Sequence, residues 1–290
     1  MNNIRLNPQF AIIVVALLWG ITLPLCKKAL SNISPDIFVF VRFTLSSIII
    51  LPLLWFNKRN LDKKILMAGL FLGLLNSGMY LLQLYGLKTI DAPRAAFLSN
   101  SYVCFVPFIM QLFKLGNPRV WDYIASTITL LGTFILTGTN ISYIKSGDLY
   151  IIASAVLYAI YIVFIHWIIP KIENRNNLLS FISIPCTLFM LIPYCTDIIF
   201  IQFDQFYNIN IIIALLFCSI GATIISLYLQ MNYQYRIKVY QASLIYSLIP
   251  LFTCIFSYFI NYEVITMSTI LGGSIIIFSL IISSMSSRSS

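Results

Sequence analysis

Long apolar stretches without a charge, separated by short polar or basic connections, run the whole length of the chain. They extend over Leu6–Cys26, Ile65–Leu87, Ala95–Phe113, Tyr123–Ile144, Leu149–Pro170, Asn176–Thr196, Gln205–Tyr235, Val239–Tyr262 and Val264–Ser287. A tenth, Ile37–Asn57, is broken only by Arg42. A helix needs roughly 20 apolar residues to cross about 30 Å of hydrocarbon, so the pattern predicts ten transmembrane helices, spans 1 to 10 in chain order. The longest stretch, Gln205–Tyr235, fits one helix preceded by a polar loop, Gln205–Asn210. Continuous rather than alternating hydrophobicity excludes a transmembrane β-barrel. The predicted class is an all-α integral membrane protein.

Composition points the same way. Hydrophobic residues make up 60% and charged residues 9% of the 290, against about 45–50% and about 25% in soluble domains. No single core hides that much apolar surface, so lipid is the solvent. Lys and Arg in the connections set the orientation. With the N-terminus inside, twelve basic residues from Arg5 to Arg288 lie in inner segments, while five, Lys27, Lys28, Lys88, Arg94 and Lys145, lie in outer ones. Both termini are therefore expected in the cytoplasm of a multi-pass cell-membrane protein, with Lys63 and Arg236 inside and Lys145 and Asp204 outside. The net charge of +9 reflects this bias; there is no basic domain to bind nucleic acid. The first span is too long for a signal-peptide core and lacks a small-x-small site before Lys27. The six cysteines fall in or at the ends of spans with no C-x-x-C pair, and read as small hydrophobes rather than disulfides or metal ligands.

The two halves, residues 9–140 and 147–285, show a weak internal repeat of five spans each. Ala16-Leu17-Leu18-Trp19-Gly20 in span 1 is similar to Ala155-Val156-Leu157-Tyr158-Ala159 in span 6. Gly73, Tyr80 and Tyr85 in span 3 match Gly221, Tyr228 and Tyr233 in span 8 at one constant offset. Spans 4 and 9 open with Ala95-Ala96-Phe97-Leu98 and Ala242-Ser243-Leu244-Ile245, and each then carries a proline, Pro107 or Pro250. Because five is odd, the halves are expected upside down relative to one another, an arrangement that places a substrate site near the midplane between them.

These residues carry a family resemblance. The chain resembles EamA-type members of the drug/metabolite transporter superfamily over about residues 9–285. The resemblance rests on Leu17-Leu18-Trp19-Gly20, on Val41-Arg42-Phe43, and on Gly86-Leu87-Lys88-Thr89 followed by Ala95 to Pro107. Ala242 to Pro250 with Glu263 completes it. Asn117 stands where many members have a Glu, and Tyr262 replaces the Gly before Glu263. The resemblance implies two five-helix repeats and the transport of small solutes, export of amino acids or related metabolites included.

Candidate site residues come from helical spacing. Gly69, Gly73, Asn76, Tyr80 and Gln83 form one face of span 3; the glycines allow close helix approach, and the amides line a cavity or bond to neighbouring helices. The other faces are apolar, and Leu81 is expected to face lipid. Trp19 and Thr22 in span 1, Asn100 in span 4, Tyr158 and Tyr161 in span 6, Tyr228 in span 8 and Tyr246 in span 9 complete an expected cavity with aromatic walls. Pro107 and Pro250 are expected to kink their helices in mid-membrane. Arg42 snorkels, pairs with Glu263 or meets substrate, with a structural charge as the leading reading. His166 reads as an interfacial or packing residue.

All nine carboxylates fall in connections or at helix ends, so no buried acid is expected to relay a proton. Neither a metal site nor a cofactor is implied. An intramembrane enzyme would need paired aspartates, a usable Ser–His pair or H-E-x-x-H, all absent, and no T-V-G-Y-G channel filter is present. The leading expectation is a secondary transporter working by alternating access, whose partners are a small-molecule substrate and the lipid bilayer, as a monomer or homodimer. The alternative is a lipid or lipid-sugar flippase on the same fold.

Overall fold

The computed structural model describes residues 6–57, 61–90, 92–115, 117–138, 144–172, 176–192, 208–262 and 264–288. Glu263 and Asp204 lie outside the described residues. Ten helical segments succeed one another: α1 (Pro8–Ala29), α2 (Pro35–Asn57), α3 (Lys63–Thr89), α4 (Ala92–Asn100 and Tyr102–Leu112), α5 (Val120–Thr137), α6 (Ser146–Ile168, with a 3-10 turn Ile169–Ile172), α7 (Asn176–Leu191), α8 (Ile209–Ser219, a π segment Ile220–Ile225, then Ser226–Tyr233), α9 (Val239–Tyr246 and Ile249–Asn261) and α10 (Met267–Arg288). Eight are long and apolar enough to cross a bilayer; α7 and the apolar part of α10, Met267–Ser279, are shorter. The described residues contain no strand.

Local chemistry starts these helices. Asp62 caps α3 by accepting from Ile65 N at 2.9 Å, and Asn7 caps α1 through Gln9 N at 2.9 Å. Asp122 and Asp148 reach back to Arg119 N (2.7 Å) and Lys145 N (2.8 Å) at the starts of α5 and α6. Each satisfies an N–H that a helix end leaves open.

Helix packing repeats itself when every helix number is shifted by five. α3 packs on α6 and α7, as α8 packs on α1 and α2; α4 packs on α6, as α9 packs on α1. α2 lies against α7, and α5 against α10. The all-α fold is thus two five-helix halves of opposite sense, with α3 and α8 each inserted into the other half. Small residues permit the close contacts. A Cβ on Gly73 would sit 2.8 Å from Thr187 N of α7, and one on Gly272 of α10 would collide with the backbone of Leu136 in α5.

α4 and α9 are interrupted at equivalent places. α4 breaks at Ser101, where Cys104 N bonds to Ser101 O at 3.0 Å, and α9 breaks at Ser247–Leu248, where Leu248 N bonds to Ile245 O at 3.0 Å. Pro250 falls in the first turn of the second piece of α9, where its missing N–H costs nothing. Pro107 lies within the second piece of α4. The interruption of α4 thus sits at Ser101, ahead of Pro107 and of the Val103 carbonyl that the proline deprives of its helical donor.

Candidate functional site

Four helices of the first half and two of the second enclose a cavity of about 70 Å³. α1 supplies Trp19, Thr22 and Leu23, α2 Arg42, and α3 Met79, Tyr80 and Gln83. α4 adds Ala96, Ser99, Asn100 and Tyr102, α6 Ser154, Ala155 and Tyr158, and α9 Ile249 and Pro250. The polar lining of α1, α3, α4 and α6 lies in the halves of those helices nearer Ala29, Thr89, Ala92 and Ser146. The cavity therefore sits between the midplane and the end predicted to be external. It has room for a few water molecules; a solute of metabolite size needs the helices to part.

An aromatic cluster forms its floor. The Trp19 ring lies 5.7 Å from Tyr158 and 5.3 Å from Tyr246, and Tyr102 meets Tyr158 edge-on at 4.7 Å. Such spacings are those of favourable aromatic pairs. Beneath it, Tyr246 donates to Gln234 Oε1 at 3.0 Å, Gln230 Nε2 donates to the same oxygen at 2.9 Å, and Gln234 Nε2 donates to Ile162 O at 2.9 Å. This network ties α6, α8 and α9 together on the opposite side of the cavity from Gln83.

The π segment of α8 shapes the wall. Thr223 Oγ1 bonds to Cys218 O at 2.8 Å and Ser226 Oγ to Gly221 O at 3.0 Å. The wide turn leaves Ala222 O available to side chains: Trp19 Nε1 donates to it at 2.9 Å and Arg42 Nη2 at 3.4 Å. Arg42 Nε donates to Thr223 Oγ1 at 2.8 Å, and the guanidinium carbon lies 4.4 Å from the centre of the Tyr80 ring. Arg42 is thus buried at the cavity wall, where it neither snorkels nor meets a carboxylate among the described residues.

The expected site residues divide. Trp19, Thr22, Tyr80, Gln83, Asn100, Tyr158 and Pro250 line the cavity. Tyr246 stands behind Trp19, and Tyr161 stacks 6.4 Å from Tyr158. Asn76, one turn from Tyr80, is buried with neither amide atom hydrogen-bonded. Gly69 and Gly73 on the same stripe approach Ile182, Cys186 and Thr187 of α7. Tyr228 lies elsewhere: it is 38% exposed on the outer face and stacks on Phe181 at 6.2 Å. The π turn between Gly221 and Tyr228 adds one residue to the register and rotates the remainder of α8 by about 100°. Leu81 is buried at 7% rather than lipid-facing, because α3 is packed on several sides.

Sequence reasoning missed Thr223, Tyr102, Ser99 and Ser154. Thr223 had a signal: Ser219, Thr223, Ser226 and Gln230 recur with the spacing of the α3 stripe, and all four are buried. His166, read as a packing residue, shares a second cavity of about 270 Å³ with Arg119, Asp122 and Lys238 at the end where α5 and α9 begin.

Known proteins match along the same lines. The sequence profile of the EamA-like transporter family matches residues 7–138 and again residues 145–285. An uncharacterized transporter of Archaeoglobus fulgidus is 27% identical over 282 residues, 97% of this chain and 87% of the relative. One protein crystal structure superposes with a TM-score of 0.74 at 15% identity, covering 97% of both chains; at that identity it speaks for the fold alone.

Proposed function

Since the chain belongs to the EamA-like transporter family, we propose that it is a secondary transporter that carries small organic solutes, amino acids or related metabolites, outward across the cell membrane by alternating access. One observation carries this reading: a buried cavity with a polar and aromatic lining lies on the seam between two halves of opposite sense. Exchanging the conformations of two similar halves converts access from one side into access from the other. The aromatic floor closes the side toward Gln234, and the ends of α4 and α6 meet on the other. Purified protein in proteoliposomes should exchange such solutes and should not scramble lipid; lipid scrambling without solute exchange would favour the flippase.

The orientation has its own test. Single cysteines at Lys63 and Arg236 should react with an impermeant thiol reagent only from the cytoplasm, and one at Lys145 only from outside. The background variant replaces Cys104, Cys195 and Cys254, while Cys26, Cys186 and Cys218 are buried. Labelling at Lys145 from the cytoplasm would reverse the assignment.

Energy coupling is expected not to run through a carboxylate in the cavity, whose lining holds no Asp or Glu. The protein then works as a facilitator or exchanger. If neutralising a single Asp or Glu abolished proton-driven transport in a folded protein that still bound solute, this expectation would fail.

A further inference from the structure

Arg42 is 2% exposed and sits on a helix that crosses the membrane. Its neighbours are a hydroxyl, a backbone carbonyl and two aromatic rings, Thr223, Ala222, Tyr80 and Phe43, with the paired thiols of Cys26 and Cys218 close by, and none of them is a carboxylate. A guanidinium has five N–H donors, and two are used in these bonds; the rest of the head faces the Tyr80 ring and the cavity. A charge away from water is costly unless it is paired and hydrogen-bonded. Neither hydrogen-bond partner, a hydroxyl and a backbone carbonyl, carries a formal negative charge. The positive charge therefore calls for an anion, and the cavity is where one can arrive.

The lining contributed by α4 and α6 carries complementary groups. Asn100 Nδ2 donates to Thr133 Oγ1 at 2.6 Å, and Thr133 in turn donates to Thr129 O at 2.9 Å. This fixes the amide so that Oδ1 is the free acceptor, and Asn100 Oδ1 is buried without a partner. The hydroxyls of Ser99 and Tyr158, also in the lining, are buried and unpaired as well. Nearly all buried polar groups find a partner in protein, water or ligand, so several orphans around one cavity mark where the polar groups of a solute can take the place of water.

Resting on the transport reading above, we infer that the cavity takes a small solute bearing two poles: an acid group that pairs with Arg42, and an ammonium or other N–H donor that meets Asn100 Oδ1 and the Tyr158 hydroxyl. The acid pole is the decisive one, because a charge-assisted, two-pronged guanidinium–carboxylate contact is stronger than a neutral bond. Arg42 is then the specificity-determining residue. Its bonds to Ala222 and Thr223 hold the fork in place on the π segment, and the Tyr80 ring supports its face.

The test uses full-length protein in proteoliposomes loaded with the twenty standard amino acids, their amides and their deaminated acids, at equal concentration. Efflux is read by mass spectrometry against protein-free vesicles. The free amino acids should leave at least about tenfold faster than their amides, the ratio expected on losing a charged hydrogen bond. Their deaminated acids should leave more slowly too, by a smaller factor. Arg42→Gln should erase the preference for acid over amide, Arg42→Lys should keep part of it, and Asn100→Leu should erase only the preference for the ammonium. If amides leave as fast as acids from wild-type vesicles, the acid anchor is wrong while the transporter stands. If nothing leaves faster than from empty vesicles, both readings fall. The wild-type comparison decides even where Arg42→Gln does not fold.

Discussion

Trp19→Ala is expected to abolish solute exchange and to lower thermal stability, whereas Trp19→Phe should retain part of both. The indole lines the cavity, packs on Tyr158 and Tyr246, and donates to the carbonyl that also receives Arg42. Truncating a buried Trp to Ala costs about 3–5 kcal/mol, enough for a change of more than a hundredfold if it falls on the transported state. Phenylalanine keeps most of the contact surface and loses the N–H donor, worth about 0.5–1.5 kcal/mol net. The control is Leu74→Ala, since Leu74 is 52% exposed on α3 and lipid replaces what the mutation removes. Counterflow in proteoliposomes and melting in detergent read the two effects separately. Wild-type exchange by Trp19→Ala, with Leu74→Ala impaired, would mean that the wrong face of the bundle has been assigned.

The second large effect is expected at the external mouth. Arg94 of α4 grips Asp148 of α6 through Nε to Oδ1 at 2.7 Å and Nη2 to Oδ2 at 2.5 Å, with side chains 11% and 6% exposed. Removing one member of this part-buried pair loses two charge-assisted hydrogen bonds, which costs about 1.5–3 kcal/mol. Asp148 also caps α6 by accepting from Lys145 N, so Asp148→Asn should destabilise at least as much as Arg94→Gln. The double variant should be nearly as stable as the worse single one, giving a coupling energy above about 1 kcal/mol in a double-mutant cycle. Additive single effects would show that the pair does not fasten α4 to α6.

The number, class and order of the helices were legible in the sequence because the bilayer leaves so few solutions: spanning segments must satisfy their own backbone and present apolar side chains. The repeat was legible for the same reason, since Gly73, Trp19 and the interrupted helices have equivalents in the second half. Faces were harder to read. Leu81 and the lipid-facing Leu74 are the same residue type on one helix, and hydrophobicity does not separate a lipid neighbour from a protein one. Tyr228 misled through the π turn, which no helical wheel of constant pitch reproduces. Arg42 was visible as the single charge within a span, but its setting depends on Ala222 and Thr223, some 180 residues away.

The separation of the halves can be observed directly. With cysteines at positions 94 and 148 and the native cysteines replaced, a short bifunctional thiol reagent would bridge α4 and α6 across the external mouth. If access alternates by parting of these helices, bridging should stop solute exchange by the reconstituted protein, and a cleavable bridge should restore it on reduction. Exchange that continues at the unbridged rate, with the bridge complete by mass spectrometry, would contradict alternating access through this seam.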